Sequence, residues 1–118
     1  MTCERWFKPV LVVRAGRNGL TSAHVRSSAV AAKSALGLLS ISVFGATNRH
    51  TAHLLCETHP VLRGRRFIFG LNSHELLNSG FTLVRTGQDP RHYSLVLPGL
   101  SEATLIRLRS LAFVFKER

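Results

Sequence analysis

Three closely spaced arginines form the segment of the chain best suited to binding chemistry. They stand in the run Arg63-Gly64-Arg65-Arg66-Phe67-Ile68-Phe69-Gly70. The arginine side chain presents a planar fork of N–H donors that matches a phosphate group bidentately. Aromatic rings beside such arginines can stack on unpaired bases. The predicted nucleic-acid-binding residues are Arg63, Arg65, Arg66, Phe67, Arg85, Arg91 and Tyr93.

The overall charge supports the same chemistry. The 118 residues include 16 Lys and Arg against 6 Asp and Glu, which gives a formal net charge of +10. Of the basic residues, 13 are Arg and 3 are Lys. A short chain with this charge attracts polyanions by its long-range potential. An alternative explanation is arginine-rich codon usage in a GC-rich genome. We favour RNA or another polyanion as the partner, together with protein subunits of a larger complex.

The arginine segment resembles the central strand motif of RNA-recognition-motif domains. Arg63, Gly64, Phe67 and Ile68 match that motif, whereas Arg65 and Arg66 replace an aromatic and a small residue, and Gly70 replaces the last aromatic. The resemblance implies base stacking by Phe67 on an open sheet face and phosphate contacts by the arginines. The other interpretation is a basic loop that leads into an apolar strand.

His92 is the candidate residue for catalysis, although the default expectation is that the chain has no catalytic residue. A histidine flanked by arginines can act as general base and phosphate clamp in RNA cleavage. The stretch from Leu76 to Leu105 resembles the HicA-type RNase toxins, with Gly80-Phe81, Arg85 and His92 at the corresponding places. That resemblance implies a catalytic role for His92, but the Gly-Ser-His triplet and a third strand of that family are missing.

A metal site is an alternative for the run His50, His53, Cys56 and His59. All four are zinc-ligand types at every third position. On an α-helix, each step of three rotates the side chain by roughly 60°, so the first and last would face opposite ways. The sequence therefore predicts ordinary histidines here, with no metal and no cofactor.

Acidic residues are absent between Glu4 and Glu57, where Arg, Ser and Ala are common. This composition is typical of an organellar transit peptide, so import is an alternative for part of residues 1–45. The two cysteines, Cys3 and Cys56, indicate free thiols in a reducing compartment rather than a disulfide framework. We expect an intracellular, cytoplasmic protein with no transmembrane segment. A mitochondrial location, as a structural subunit of an organellar complex, is the alternative.

Hydrophobic periodicity and turn residues predict the elements that must position these side chains. The predicted strands are Lys8–Arg14, Leu39–Val43, Arg66–Phe69, Phe81–Arg85 and His92–Leu97. The predicted helices are Ser22–Leu39, a short one from Asn72 to Gly80, and one that begins after Ser101 and continues through Phe115. Residues 46–65 show no periodicity and are predicted to be a loop.

This order predicts an α+β fold: a small mixed sheet with two or three helices. Its first six elements follow the βαββαβ order of ferredoxin-like folds, with a C-terminal helix added. Residues 1–118 are expected to form a single small domain in which residues 1–20 are a flexible or targeting arm. The function expected is that of a small basic RNA-binding protein, a subunit of a ribonucleoprotein particle.

Overall fold

The computed structural model describes residues 9–16 and 21–118 as an α+β fold, which confirms the predicted class. The strands in this part of the chain are β1 (Leu11–Ala15), β2 (Ser40–Ala46), β3 (Phe67–Asn72), β4 (Thr82–Arg85), β5 (His92–Val96) and β6 (Phe113–Glu117). The helices are α1 (Ser22–Leu36), α2 (Arg49–Thr58), α3 (Ser73–Asn78) and α4 (Glu102–Leu111).

The strands form one sheet in the order β4-β5-β2-β1-β3-β6, and every neighbouring pair is antiparallel. The sequence analysis predicts a mixed sheet, and the structure corrects this to an antiparallel one. β1 lies inside the sheet, between β2 and β3. Since side chains alternate along a strand, Val12 points to one face of the sheet and Leu11 and Val13 point to the other.

Both faces carry an apolar cluster. Helices α1, α3 and α4 cover the first face, and α2 covers part of the second. The first cluster includes Val12, Val25, Ala29, Ile41, Leu71, Leu76, Phe81, Leu95, Leu105 and Leu108. The second includes Leu11, Val13, Phe44, Ala52, Leu55, Cys56, Leu62, Ile68 and Phe115. The sheet is thus sandwiched between helices at its centre, where packing holds the fold together.

Helix α2 corrects the prediction of a loop over residues 46–65. The Asn48 side chain accepts a hydrogen bond from the backbone N–H of Thr51 at 2.7 Å, which caps the helix N-terminus. Ala52, Leu55 and Cys56 are buried on one side of α2 against the sheet. The short apolar stripe is obscured in the sequence by the threonines and histidines around it, which are weak helix formers.

The C-terminal helix is also shorter than predicted, because the chain leaves it after Leu111. Phe113 and Phe115 then alternate with exposed Val114 in β6, so Phe115 belongs to the second cluster instead of a helical face. β6 pairs with β3 and forms one edge of the sheet. The ferredoxin-like order is wrong for two reasons: α2 stands between β2 and β3, and β1 pairs directly with β2, which are not neighbours in a ferredoxin-like sheet.

The expected N-terminal arm is only partly covered by the structure. Residues 9–16 of that arm include β1, which is hydrogen-bonded on both sides, whereas residues 1–8 and 17–20 lie outside the described residues. Removal of a transit peptide as long as residues 1–45 would delete this inner strand, α1 and most of β2. In the part of the chain that the structure describes, every helix is too short or too polar to cross a membrane.

Close contact at Gly45 gives a test of this packing. A Cβ atom added there would lie 2.7 Å from both Pro9 Cβ and Tyr93 Cε1, closer than real carbon contacts allow. We expect Gly45→Ala to lower the free energy of unfolding by about 1–3 kcal/mol through overpacking. Gly99→Ala is the matched control, because a Cβ added at that position would have no other atom within 4 Å. Urea unfolding of both variants checks this, and equal stability of the two would contradict it.

Candidate functional site

The predicted arginines stand on an ordered turn, here called the basic loop, which comprises residues 61–66 between α2 and β3. The carbonyl oxygen of His59 accepts the N–H groups of Leu62 and Arg63 at 3.0 and 2.8 Å. The carbonyl of Leu62 accepts the N–H of Arg65 at 3.1 Å. Leu62 is fully buried in the second cluster and anchors the loop, while Arg63, Arg65 and Arg66 are exposed.

The basic loop forms one wall of a cleft of about 580 Å³. The other walls come from the end of β1 and from the first turn of α1. The lining residues are Ala15, Gly16, His24, Val61, Gly64, Arg65, Arg66 and Phe67. The described residues that line this cleft are cationic or neutral, with no carboxylate among them, so its chemistry suits an anionic ligand.

The cleft offers both hydrogen-bond donors and an aromatic ring. The Nε of Arg65 donates to the Val61 carbonyl at 3.1 Å, which orients the guanidinium group and leaves its two terminal nitrogens for other acceptors. The guanidinium carbon of Arg66 lies 5.3 Å from the centre of the Phe67 ring, in a cation–π contact. Phe67 is half-buried at the start of β3. Arg66 and Phe67 therefore place a guanidinium group and an aromatic ring beside the donors.

His24 and Arg14 extend the site and were not predicted from the sequence. A terminal nitrogen of Arg14 contacts His24 Nε2 at 3.2 Å. Because a guanidinium only donates, Nε2 accepts, and the His24 proton is on Nδ1. Arg14 also donates to the Ser42 carbonyl at 2.7 Å, so it ties β1 to β2 and α1. Burial lowers the pKa of Arg14 from its ordinary value. A histidine in the first turn of a helix gives no sequence signal for this role.

Acidic side chains are engaged elsewhere on the protein. Glu57 pairs with Lys116 and Arg118, and Glu102 pairs with Arg26. Asp89 pairs with His59. Within residues 9–16 and 21–118, no ion pair involves an arginine of the basic loop. None of the carboxylates that the structure describes is therefore paired with an arginine of the basic loop, although Glu117 lies opposite Phe67 in the pairing of β3 with β6.

The other predicted binding residues do not join the basic loop. Tyr93 is 7% exposed and packs in the first cluster, so it cannot stack on a base without opening the core, and its prediction as a stacking ring is wrong. Arg85 lies on the edge strand β4, four strand spacings from β3, which is roughly 19 Å. Arg91 is exposed in the turn between β4 and β5.

A hydrogen bond connects the turn that carries Arg91 to the start of the basic loop. His59 Nε2 lies 2.7 Å from Asp89 Oδ2, and His59 Nδ1 accepts the Val61 N–H at 3.1 Å. These partners fix the His59 proton on Nε2, where it is donated to the carboxylate. Asp89 also accepts the Arg91 N–H at 2.9 Å. The Arg91 N–H and the His59 ring both lower the pKa of Asp89.

His92 lies on the second face of the sheet, away from the cleft. Its Nδ1 donates to the Thr86 carbonyl at 3.0 Å and contacts the Thr86 hydroxyl at 3.1 Å, so Nδ1 carries a proton. The edge of its ring meets Phe44, which also contacts the His59 ring. His92 can accept a proton through Nε2, but the phosphate-binding candidates of the basic loop are not its neighbours.

The alternative zinc ligands are not brought together. His53 is exposed and its ring packs on Phe115, Cys56 is buried beneath α2, and His59 is bonded to Asp89. Burial raises the pKa of the Cys56 thiol, which opposes the thiolate form that a metal needs. Among the described residues, no group of three or more His, Cys, Asp or Glu side chains is arranged to hold a metal ion.

No protein-family model, curated protein or solved structure matches this chain, so its function is argued from its own geometry.

The Asp89–His59 pair predicts a specific pH dependence of stability. The folded-state pKa of Asp89 is lowered, so the charged Asp89 carboxylate stabilises the fold at pH values above its unfolded-state pKa of about 3.9. This stabilisation is lost as the pH falls through the folded-state pKa. We expect Asp89→Asn to flatten this part of the stability curve and to lower stability at neutral pH. Urea unfolding from pH 3 to 7 measures both effects.

Glu117→Gln, which removes an exposed carboxylate from the end of β6, is the control for the change in net charge. Parallel pH–stability curves for Asp89→Asn and the unaltered protein would contradict this role of the Asp89 carboxylate.

Proposed function

We propose that the protein binds RNA through the basic loop and the adjoining cleft, as a subunit of a ribonucleoprotein particle. The observation that carries this proposal is the exposure of Arg63, Arg65 and Arg66 on one ordered loop, with no ion pair to a described carboxylate. The arginines contact phosphates, which provides affinity without reading sequence. The charge of +10 adds attraction over a longer range.

The dimensions of the cleft favour a single strand over a duplex. A volume of about 580 Å³ is in the range of sites that enclose one small organic ligand, such as a nucleotide unit. Proteins that bind double-stranded RNA read its shape across a wide surface, whereas single strands present unstacked bases to aromatic and arginine side chains. Phe67 supplies the aromatic side chain and Arg66 the arginine side chain for such bases, beside the phosphate-binding donors.

Salt dependence tests the phosphate contacts directly. For single strands, a plot of the logarithm of the affinity against the logarithm of the salt concentration is a falling line. Its slope has a magnitude of about 0.7 for each neutralised phosphate. We expect Arg63→Ala combined with Arg66→Ala to weaken binding of a single-stranded RNA oligonucleotide and to reduce this slope by about 1.4. Fluorescence anisotropy at a series of salt concentrations measures both.

The matched control is Lys33→Ala combined with Arg109→Ala, which removes the same charge from exposed positions on α1 and α4. It should leave the slope almost unchanged. Affinity that does not depend on salt, or equal losses in the two double variants, would refute the proposed contacts.

RNA cleavage by His92 is the alternative function, and the observation in its favour is the bond from His92 Nδ1 to the Thr86 carbonyl, which orients the ring and leaves Nε2 as its other nitrogen. Because the basic loop is not beside His92, we expect binding without cleavage. Pure protein incubated with total RNA should leave the RNA intact on a denaturing gel, and His92→Ala should bind RNA as the unaltered protein does. Fragmentation that disappears in His92→Ala would favour the enzyme.

A further inference from the structure

We propose that Arg118 is a positioning residue, which holds the basic loop in the conformation that presents its arginines to RNA. This inference rests on the proposed function. Arg118 follows β6, the edge strand that pairs with β3, so it reaches the basic loop from a part of the chain that is distant in sequence. No motif in the sequence singles it out.

Two bonds fix the backbone of the basic loop to Arg118. The backbone N–H of Arg118 donates to the carbonyl of Arg66 at 2.8 Å, and its side-chain Nε donates to the carbonyl of Arg65 at 2.9 Å. Consecutive carbonyls of the loop are thereby held by one residue. Since the side chains of Arg65 and Arg66 leave the backbone at these peptides, their direction depends on this contact.

The same guanidinium group is anchored to the last turn of α2. One terminal nitrogen donates to the Cys56 carbonyl at 3.1 Å, and the other contacts the two carboxylate oxygens of Glu57 at 3.2 and 3.4 Å. Lys116 also donates to Glu57. Hydrogen bonds from Lys116 and Arg118 lower the pKa of Glu57, so the carboxylate stays charged at neutral pH. Arg118 thus bridges the helix that precedes the loop and the loop itself.

Arg118 acts through the loop, because each of its three guanidinium nitrogens already has a protein acceptor. A lysine at this position keeps the charge but has one ammonium group, which cannot reach a carboxylate and two separated carbonyls in the same fixed geometry. Arg118→Lys therefore keeps the positive charge at this position but removes the hydrogen bonds of the guanidinium group.

The decisive variant is Arg118→Lys in the full chain, with two measurements. Hydrogen exchange at the hydrogen-bonded amides of Arg63 and Arg65 should become faster by about tenfold or more, as expected for lost hydrogen bonds to a charged group. The same substitution should lower the affinity for a single-stranded RNA oligonucleotide. A residue that merely supplied charge to phosphate would be rescued by lysine.

Arg109→Lys, at an exposed position in the last turn of α4, is the control and should change neither measurement.

If Arg118→Lys fails to fold, Glu57→Gln replaces it, since that variant removes the carboxylate partner of Arg118 and leaves its bonds to the carbonyls. A smaller change of the same sign is then expected. Unchanged exchange, or faster exchange with unchanged affinity, would overturn the positioning role. Exchange is measured without RNA, so failure of the unaltered protein to bind RNA would overturn the proposed function separately.

Discussion

The burial of β1 on both faces is the constraint on which the rest of the structure depends. Val12 and Val13 are fully buried in different clusters, and the strand is hydrogen-bonded to β2 and β3. A strand with apolar side chains on both faces needs helices on both sides of the sheet, because exposure of either face to water is unfavourable. Helix α1 on one side and α2 on the other satisfy that need. Their positions then fix the two walls of the cleft: the first turn of α1 and the loop that follows α2.

The scarcity of carboxylates gives the molecule its electrostatic character. Glu57, Asp89 and Glu102 each hold parts of the fold that are distant in sequence, through Arg118, His59 and Arg26. These acids therefore serve as cross-links, and none of them is paired with an arginine of the basic loop. Exposed ion pairs of this kind contribute little to stability individually, so their main effect here is on where positive charge remains uncompensated.

The sequence predicts most of the helices and strands but misses α2 and β6. The α+β class, the strands β4 and β5 and the start of α4 after Ser101 follow from periodicity and turn chemistry, which are local properties. Helix α2 was not predicted because its apolar stripe is short and lies among weak helix formers. β6 was not predicted because Phe115 continues the helical spacing of α4, and only pairing with β3 makes it a strand. The site divides in the same way: the loop arginines are visible in the sequence, whereas the burial of Tyr93 results from tertiary contacts that no local pattern specifies.

The pairing of strands that are distant along the chain has a consequence for the kinetics of folding. β2 pairs with β5, although α2, β3, α3 and β4 lie between them in the sequence. β3 pairs with β6, although α3, β4, β5 and α4 lie between them. Contacts of long sequence separation must overcome loop-closure entropy before they stabilise anything, so sheets of this topology form slowly compared with helical bundles. The edge strand that completes the sheet is also the last to be synthesised among these elements. The hydrogen bonds that Arg118 makes to the basic loop can therefore form only after β6 has been synthesised.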